Sequence, residues 1–66
     1  MNPKYENVTV RLVGEDGNAF FILGKVMKAM RRNKVSEDEV KKFKDEATSG
    51  DYDNLLSTCM KWVNVE

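Results

Sequence analysis

Residues 8–13, with the sequence VTVRLV, constrain the fold more than any other segment. Apolar residues alternate there with Thr9, Arg11 and Val13, which predicts a β-strand with one buried face. A lone strand exposes unpaired N–H and C=O groups, so this one needs a partner. Either the tail at 62–65 (WVNV) pairs with it inside the chain, or the strand pairs with its copy in a dimer. The β-propensity of the tail favours the first arrangement, and a monomer with it.

The chain is too short for two domains, so residues 1–66 are expected to form one domain, with residues 1–6 frayed. A single Cys allows no internal disulfide, and the lack of His removes the usual neutral-pH proton-transfer group. Eleven basic and eleven acidic residues give no net charge, so an anionic partner would require a local basic patch.

Three helices are predicted between the two strands. Asn18 or Asp16 caps the first helix, and its Gly24 indicates that another backbone approaches closely. Ser36 and Glu39 form a capping box at the start of the second helix. Gly50 is expected to adopt a left-handed conformation at the end of that helix. Asp51 caps the third.

These elements predict a small α+β domain: an N-terminal strand, three helices and a short C-terminal strand pairing with the first. The expected core follows the apolar stripes: Val8, Val10, Leu12, Phe20, Leu23, Val26, Met27, Met30, Val40, Phe43, Tyr52, Leu55, Leu56, Cys59, Met60 and Val63. Phe21 lies off the main stripe of the first helix, so an exposed ring there would indicate a contact site.

The one cluster of like charges lies on and just beyond the first helix: Lys25, Lys28, Arg31, Arg32 and Lys34. Basic residues near the end of a helix are stabilising and keep a surface solvated. The functional alternative is an anionic partner, such as nucleic acid, a nucleotide or an acidic protein surface.

A second nucleic-acid hypothesis starts from the strand. In a dimer, strand, helix, helix is the outline of a ribbon-helix-helix protein, in which Thr9 and Arg11 would read the major groove. Glu15 and Asp16 would then face phosphate, and the third helix has no place in that outline, so this alternative is not favoured.

No residue pattern points to catalysis, a cofactor or a metal. Cys59 has no His to activate it, and residues 37–39 fan around a helix start without converging. The loop GEDGN at 14–18 matches no phosphate-binding motif, and Asp51 with Asp53 lacks the remaining ligands of a calcium loop. A non-enzymatic binding protein, acting through protein–protein contacts, is therefore the main functional prediction.

The segments DGNAFFILGKVMKAMRR and EATSGDYDNLLSTCMKWVNV resemble a family of short uncharacterised bacterial and bacteriophage proteins. The resemblance rests on GNAF at 17–20, Gly24, SGDYDNLL at 49–56 and the terminal pair Trp62 and Val63. It implies a small accessory protein and assigns no ligand. The lack of an apolar leader and of a membrane span in the sequence predicts the cytoplasm.

Overall fold

The computed structural model describes residues 2–66 and contains five elements in the predicted order. They are β1 (Tyr5–Val10), α1 (Ala19–Arg32), α2 (Glu37–Ala47), α3 (Tyr52–Trp62) and β2 (Val63–Val65). β1 and β2 form a two-stranded parallel sheet, which confirms that the first strand pairs with the C-terminal tail of the same chain. Parallel neighbours need a long crossover, and the three helices supply it.

The pairing of β1 with β2 is irregular. Tyr5 lies opposite Val63, but Thr9 already lies opposite Asn64, so β1 carries extra residues between these two pairs. The Asn64 side-chain amide donates to the Glu6 carbonyl within this irregular stretch. Beyond Val10 the two ends stay joined, because the Glu66 carbonyl accepts from the N–H groups of residues 12 and 13, at 2.6 and 3.0 Å.

The strand begins at Tyr5 and ends at Val10, three residues earlier at each end than the alternation predicts. Tyr5 and Glu6 belong to β1, within the segment predicted to be frayed; Met1 lies outside the described residues. At the other end of the chain, Trp62 closes α3, so β2 begins one residue later than the predicted tail strand.

The helix caps agree with the sequence. The Asn18 side chain accepts from the N–H groups of residues 20 and 21, Ser36 from that of Glu39, and Asp51 from that of Asn54. Glu39 does not complete the capping box with its carboxylate, which binds Lys4 and Tyr5 of the N-terminal segment.

The core lies between the inner face of the sheet and the three helices. Its buried members are Val8, Val10, Ile22, Val26, Met30, Val35, Val40, Phe43, Ala47, Leu55, Cys59, Trp62 and Val63, with Leu12, Leu23, Met27 and Leu56 packed partly buried against them. Trp62 is central, because its ring stacks on Tyr5 at 6.1 Å between centroids and meets the edge of Phe43 at 5.8 Å. The sequence prediction left Trp62 out of the core.

Three predicted core residues are exposed: Phe20 (85%), Met60 (58%) and Tyr52 (44%). Ile22, Val26 and Met30 form the buried line of α1, and Phe20 points away from it. Met60 likewise falls outside the buried line of α3.

The two glycine predictions are wrong. A Cβ on Gly24 would meet no atom within 4 Å, so no other backbone packs there. Gly50 does not adopt a positive φ; a Cβ there would lie 3.0 Å from that of Asn54, whose amide donates to the Glu46 carbonyl at the end of α2. Close approach of the Asn54 side chain, not backbone conformation, explains glycine at position 50.

The end of α1 contains a left-handed residue that is not glycine. Lys34 has φ of 63°, and the hydrogen bonds Lys34 N–H to Arg31 C=O and Val35 N–H to Met30 C=O, both 3.0 Å, complete a Schellman motif. Glycine is the usual residue at this position, because a Cβ disfavours the left-handed conformation.

Lys34→Gly is therefore expected to raise the free energy of unfolding by roughly 0.5–1 kcal/mol, the relief of strain exceeding the added entropy of the unfolded chain. Urea denaturation measures the change. Lys34→Ala, which also removes the charge but keeps a Cβ, is the control and should change stability little. Equal gains in both variants would contradict the explanation.

Glu39 ties the N-terminal segment to α2. Its carboxylate accepts from Lys4 and from the Tyr5 hydroxyl at 2.8 Å, and Lys42 lies 3.3 Å away. The hydrogen bonds from Lys4 and then Tyr5 lower the pKa of Glu39 to about 2. A lowered folded-state pKa stabilises the fold above the unfolded pKa, and this stabilisation is lost as the pH falls toward the folded value.

Glu39→Gln should therefore lower stability at pH 7 and lower it less at pH 2, so that the stability profile between pH 5 and 2 becomes flatter. Thermal denaturation across this range measures the effect. Some acid sensitivity will remain, because ion pairs with Lys25 and Lys61 also lower the pKa values of Glu15 and Glu46. An unchanged profile in the variant would refute the role of Glu39.

Candidate functional site

Two grooves flank the exposed side of α1, and they differ in chemistry. The first, here called the apolar groove, lies between the N-terminal turns of α1 and α3 and the C-terminal end of α2. It has a volume of about 380 Å³ and is lined by Ala19, Phe20, Leu23, Ala47, Thr48, Gly50, Asp51, Tyr52 and Leu55. Asp51 is the one charged residue in this lining.

One wall of the apolar groove is hydrogen-bonded to the loop before α1. The Tyr52 hydroxyl donates to the Gly17 carbonyl, which joins the loop before α1 to the first turn of α3. Phe20 is the second residue of α1, and its ring remains 85% exposed beside this junction. A large apolar side chain in the lining is therefore exposed to solvent.

The second groove, here called the basic groove, runs between β1 and α1. It has a volume of about 250 Å³ and is lined by Thr9, Val10, Arg11, Lys25, Lys28, Ala29 and Arg32. The sequence singled out Thr9 and Arg11 for one hypothesis and the helix residues for another. The structure brings both sets together, because the outer face of β1 and one face of α1 line the same groove.

Among the other predicted site residues, Phe21 adjoins the basic groove, whereas Arg31 and Lys34 lie outside it. Phe21 is 43% exposed and lies with Lys25 and Lys28 in a depression that continues the groove along α1. Arg31 pairs with Glu37 of α2, at 3.0 Å, and lies outside the groove lining. Lys34 follows the helix in the left-handed turn.

The cations of the basic groove differ in their partners. The Lys25 ammonium lies 2.8 Å from Glu15 and donates to the Arg11 carbonyl at 2.6 Å, so it also joins α1 to the chain after β1. Arg11, Lys28 and Arg32 form no ion pair within residues 2–66. The groove therefore presents three cations without a carboxylate partner in the described chain.

Cys59 and Asp51 have structural roles in α3. Cys59 is fully buried in α3, and burial raises the pKa of its thiol to about 11. Asp51 caps α3, because its carboxylate accepts from the Asn54 N–H at 2.9 Å. Within residues 2–66, no three side chains of the His, Cys, Asp and Glu types come together as metal ligands. No helix in that range is long and apolar enough to cross a bilayer.

Comparison of the chain with models of protein families, with curated proteins and with solved structures gives no match. The functional interpretation therefore rests on the two grooves and their chemistry.

Gly24 lies between the two grooves with no packing that requires it. Its neighbours in the depression are Glu15, Phe20, Phe21, Lys25 and Lys28. A glycine inside a helix lowers stability by about 1 kcal/mol relative to Ala, and here no close contact offsets this cost. A stability cost without a packing reason is typical of a functional surface.

Gly24→Ala is expected to increase the free energy of unfolding by about 0.5–1 kcal/mol. Gly50→Ala is the matched comparison. It should destabilise the protein, because its Cβ would crowd the Asn54 side chain at 3.0 Å, and a hydrogen bond to the Glu46 carbonyl holds that side chain in place. Chemical denaturation of the two variants compares the effects. Destabilisation by Gly24→Ala would show that position 24 has a packing role after all.

Proposed function

We propose that this chain is a small non-enzymatic binding protein that uses the apolar groove to bind a segment of another protein. The observation that carries the proposal is the 85% exposure of Phe20 beside an apolar groove of about 380 Å³. An aromatic ring exposed at the edge of an apolar groove is a typical anchor for a partner side chain.

The charges around the apolar groove favour a particular partner. Asp51 lies in its lining, Asp53 follows one residue after Tyr52, and Asp16 lies in the loop that Tyr52 holds. None of these three aspartates forms an ion pair within residues 2–66. The complementary segment carries large apolar side chains with Lys or Arg beside them, as an amphipathic helix or strand can.

This function agrees with the composition and with the resemblance to short bacterial and bacteriophage proteins. The resemblance and the cytoplasmic location both stay predictions. The sequence has no His, and Cys59 is buried with a raised pKa. The usual combination of an activated nucleophile with a general base is therefore missing, which supports binding over catalysis.

Selection of a displayed random peptide library on the immobilised protein tests the proposal. We expect enrichment of peptides that combine apolar and basic residues. Phe20→Ala should weaken their binding about tenfold to one-hundredfold, the equivalent of burying one aromatic side chain. Fluorescence polarisation measures the affinities, and stability should change little, since Phe20 is exposed.

Met60→Ala is the matched control. Met60 is an exposed apolar residue that lines a separate cleft with Leu12, Val13, Leu56 and Val65. Peptide affinity should not change in this variant. Selection of acidic peptides, or equal losses in both variants, would reject the apolar groove as the site. A concentration-dependent dimer that Phe20→Ala abolishes would instead identify a second copy as the occupant.

A further inference from the structure

We propose that the basic groove is a second binding site, and that its ligand is single-stranded nucleic acid. The site adjoins the apolar groove at Phe20, which borders both, and differs from it in charge and ligand. It consists of Thr9 of β1 and Arg11, which follows β1, with Lys25, Lys28 and Arg32 from α1, and Phe21 continues it along the helix.

The positions on α1 place the four helix residues on one face. Phe21, Lys25, Lys28 and Arg32 follow the spacing i, i+4, i+7 and i+11, which keeps side chains in a single row. The row runs along nearly the whole helix, from its first turn to its last residue. Because β1 lies beside it, Arg11 and Thr9 supply the opposite wall, so the row forms one side of a groove.

The groove attracts anions although the chain has no net charge. Arg11, Lys28 and Arg32 have no carboxylate within ion-pair distance in the described part of the chain. Glu15 pairs with Lys25 and interacts more weakly with Arg11, so Lys28 and Arg32 are the cations least compensated by a carboxylate. A concave surface with charges of one sign focuses the electrostatic potential on whatever enters it. Several cations in a row suit a ligand whose anionic groups repeat, as the phosphates of a nucleic-acid backbone do.

The aromatic residues at one end favour single strands over duplexes and over acidic proteins. Phe21 and Phe20 are both exposed and lie in the same depression as Lys25 and Lys28. The Lys25 ammonium lies 5.7 Å from the centre of the Phe21 ring. Unpaired bases can stack on such rings while the phosphates contact the cations, whereas paired bases in a duplex cannot reach them.

This site differs from the ribbon-helix-helix hypothesis in what β1 does. In that hypothesis, β1 pairs with its copy and Thr9 and Arg11 enter a major groove. Here β2 of the same chain occupies one edge of β1, and Thr9 and Arg11 line a groove with α1. The ligand therefore binds beside the helix, and no dimer is required.

Fluorescence anisotropy with a labelled oligothymidylate of about 15 nucleotides tests the proposal. We expect binding at low salt, with the logarithm of the affinity falling against the logarithm of the salt concentration at a slope of about −2, as three phosphate contacts imply. A duplex of the same length should bind at least several-fold more weakly.

The double variant Lys28→Gln, Arg32→Gln should lower the affinity tenfold or more and reduce the salt slope. The control is Lys41→Gln, Lys44→Gln, which removes the same charge from α2 and should leave the affinity unchanged. Phe21→Leu keeps an apolar side chain but removes the ring, so it should weaken binding to the oligonucleotide and not to inorganic polyphosphate.

Three results would overturn the proposal. They are no binding at low salt, equal losses in the two double variants, or equal affinity for the duplex. Polyglutamate binding as tightly as the oligonucleotide, without effect of Phe21→Leu, would assign the groove to an acidic protein instead. Thermal denaturation of each variant confirms that the fold is intact.

Discussion

The parallel pairing of the two strands is the constraint on which the remaining structure depends. β2 has only three residues, so few backbone hydrogen bonds hold it. Its position therefore depends on the packing of the buried side chains beside it. Trp62 immediately precedes it and lies between Tyr5 of β1 and Phe43 of α2. One aromatic cluster thus fixes the end of α3, the start of β1 and the second helix together, and Val63 enters the sheet fully buried beside it. This chain has a single Cys, so no internal disulfide can provide the stabilisation that the aromatic cluster supplies.

Both grooves follow from this pairing. With β2 on one edge of β1 and with Val8 and Val10 facing the helices, Thr9 and Arg11 remain on the outside beside α1. The buried line of α1 then faces the core through Ile22, Val26 and Met30, which turns the basic row toward β1 and Phe20 toward α3. Two grooves of different chemistry on opposite sides of one helix are therefore a consequence of how that helix packs.

The sequence predicts the features of this fold that depend on neighbouring residues. It does not predict those that depend on contacts between residues far apart in the chain. The caps Asn18, Ser36 and Asp51 were predictable, because each side chain bonds an N–H two or three residues ahead. That the tail pairs with β1 was predictable from its β-propensity, whereas the parallel direction of the pairing was not predicted. The rotation of α1 was not, because apolar residues cover much of its circumference and periodicity alone cannot choose which of them face the core. Phe20 was placed inside for that reason. The left-handed Lys34 gave no signal, since lysine does not favour that conformation.

The basic groove was predictable in composition but not in arrangement, whereas the apolar groove was not predicted, because Phe20 and Tyr52 were expected in the core. The basic residues of α1, and Thr9 with Arg11, were identifiable, yet only the fold shows that they line one groove and that Arg31 leaves it to pair with Glu37. Net charge was a poor guide to partners for a physical reason. Exposed charges act over about 8–10 Å at physiological salt, and the domain measures 25 × 24 × 23 Å. The electrostatic potential in the basic groove is therefore set mainly by Arg11, Lys28 and Arg32, and that in the apolar groove mainly by the aspartates near Tyr52. A chain with zero net charge can in this way have two surfaces of opposite sign.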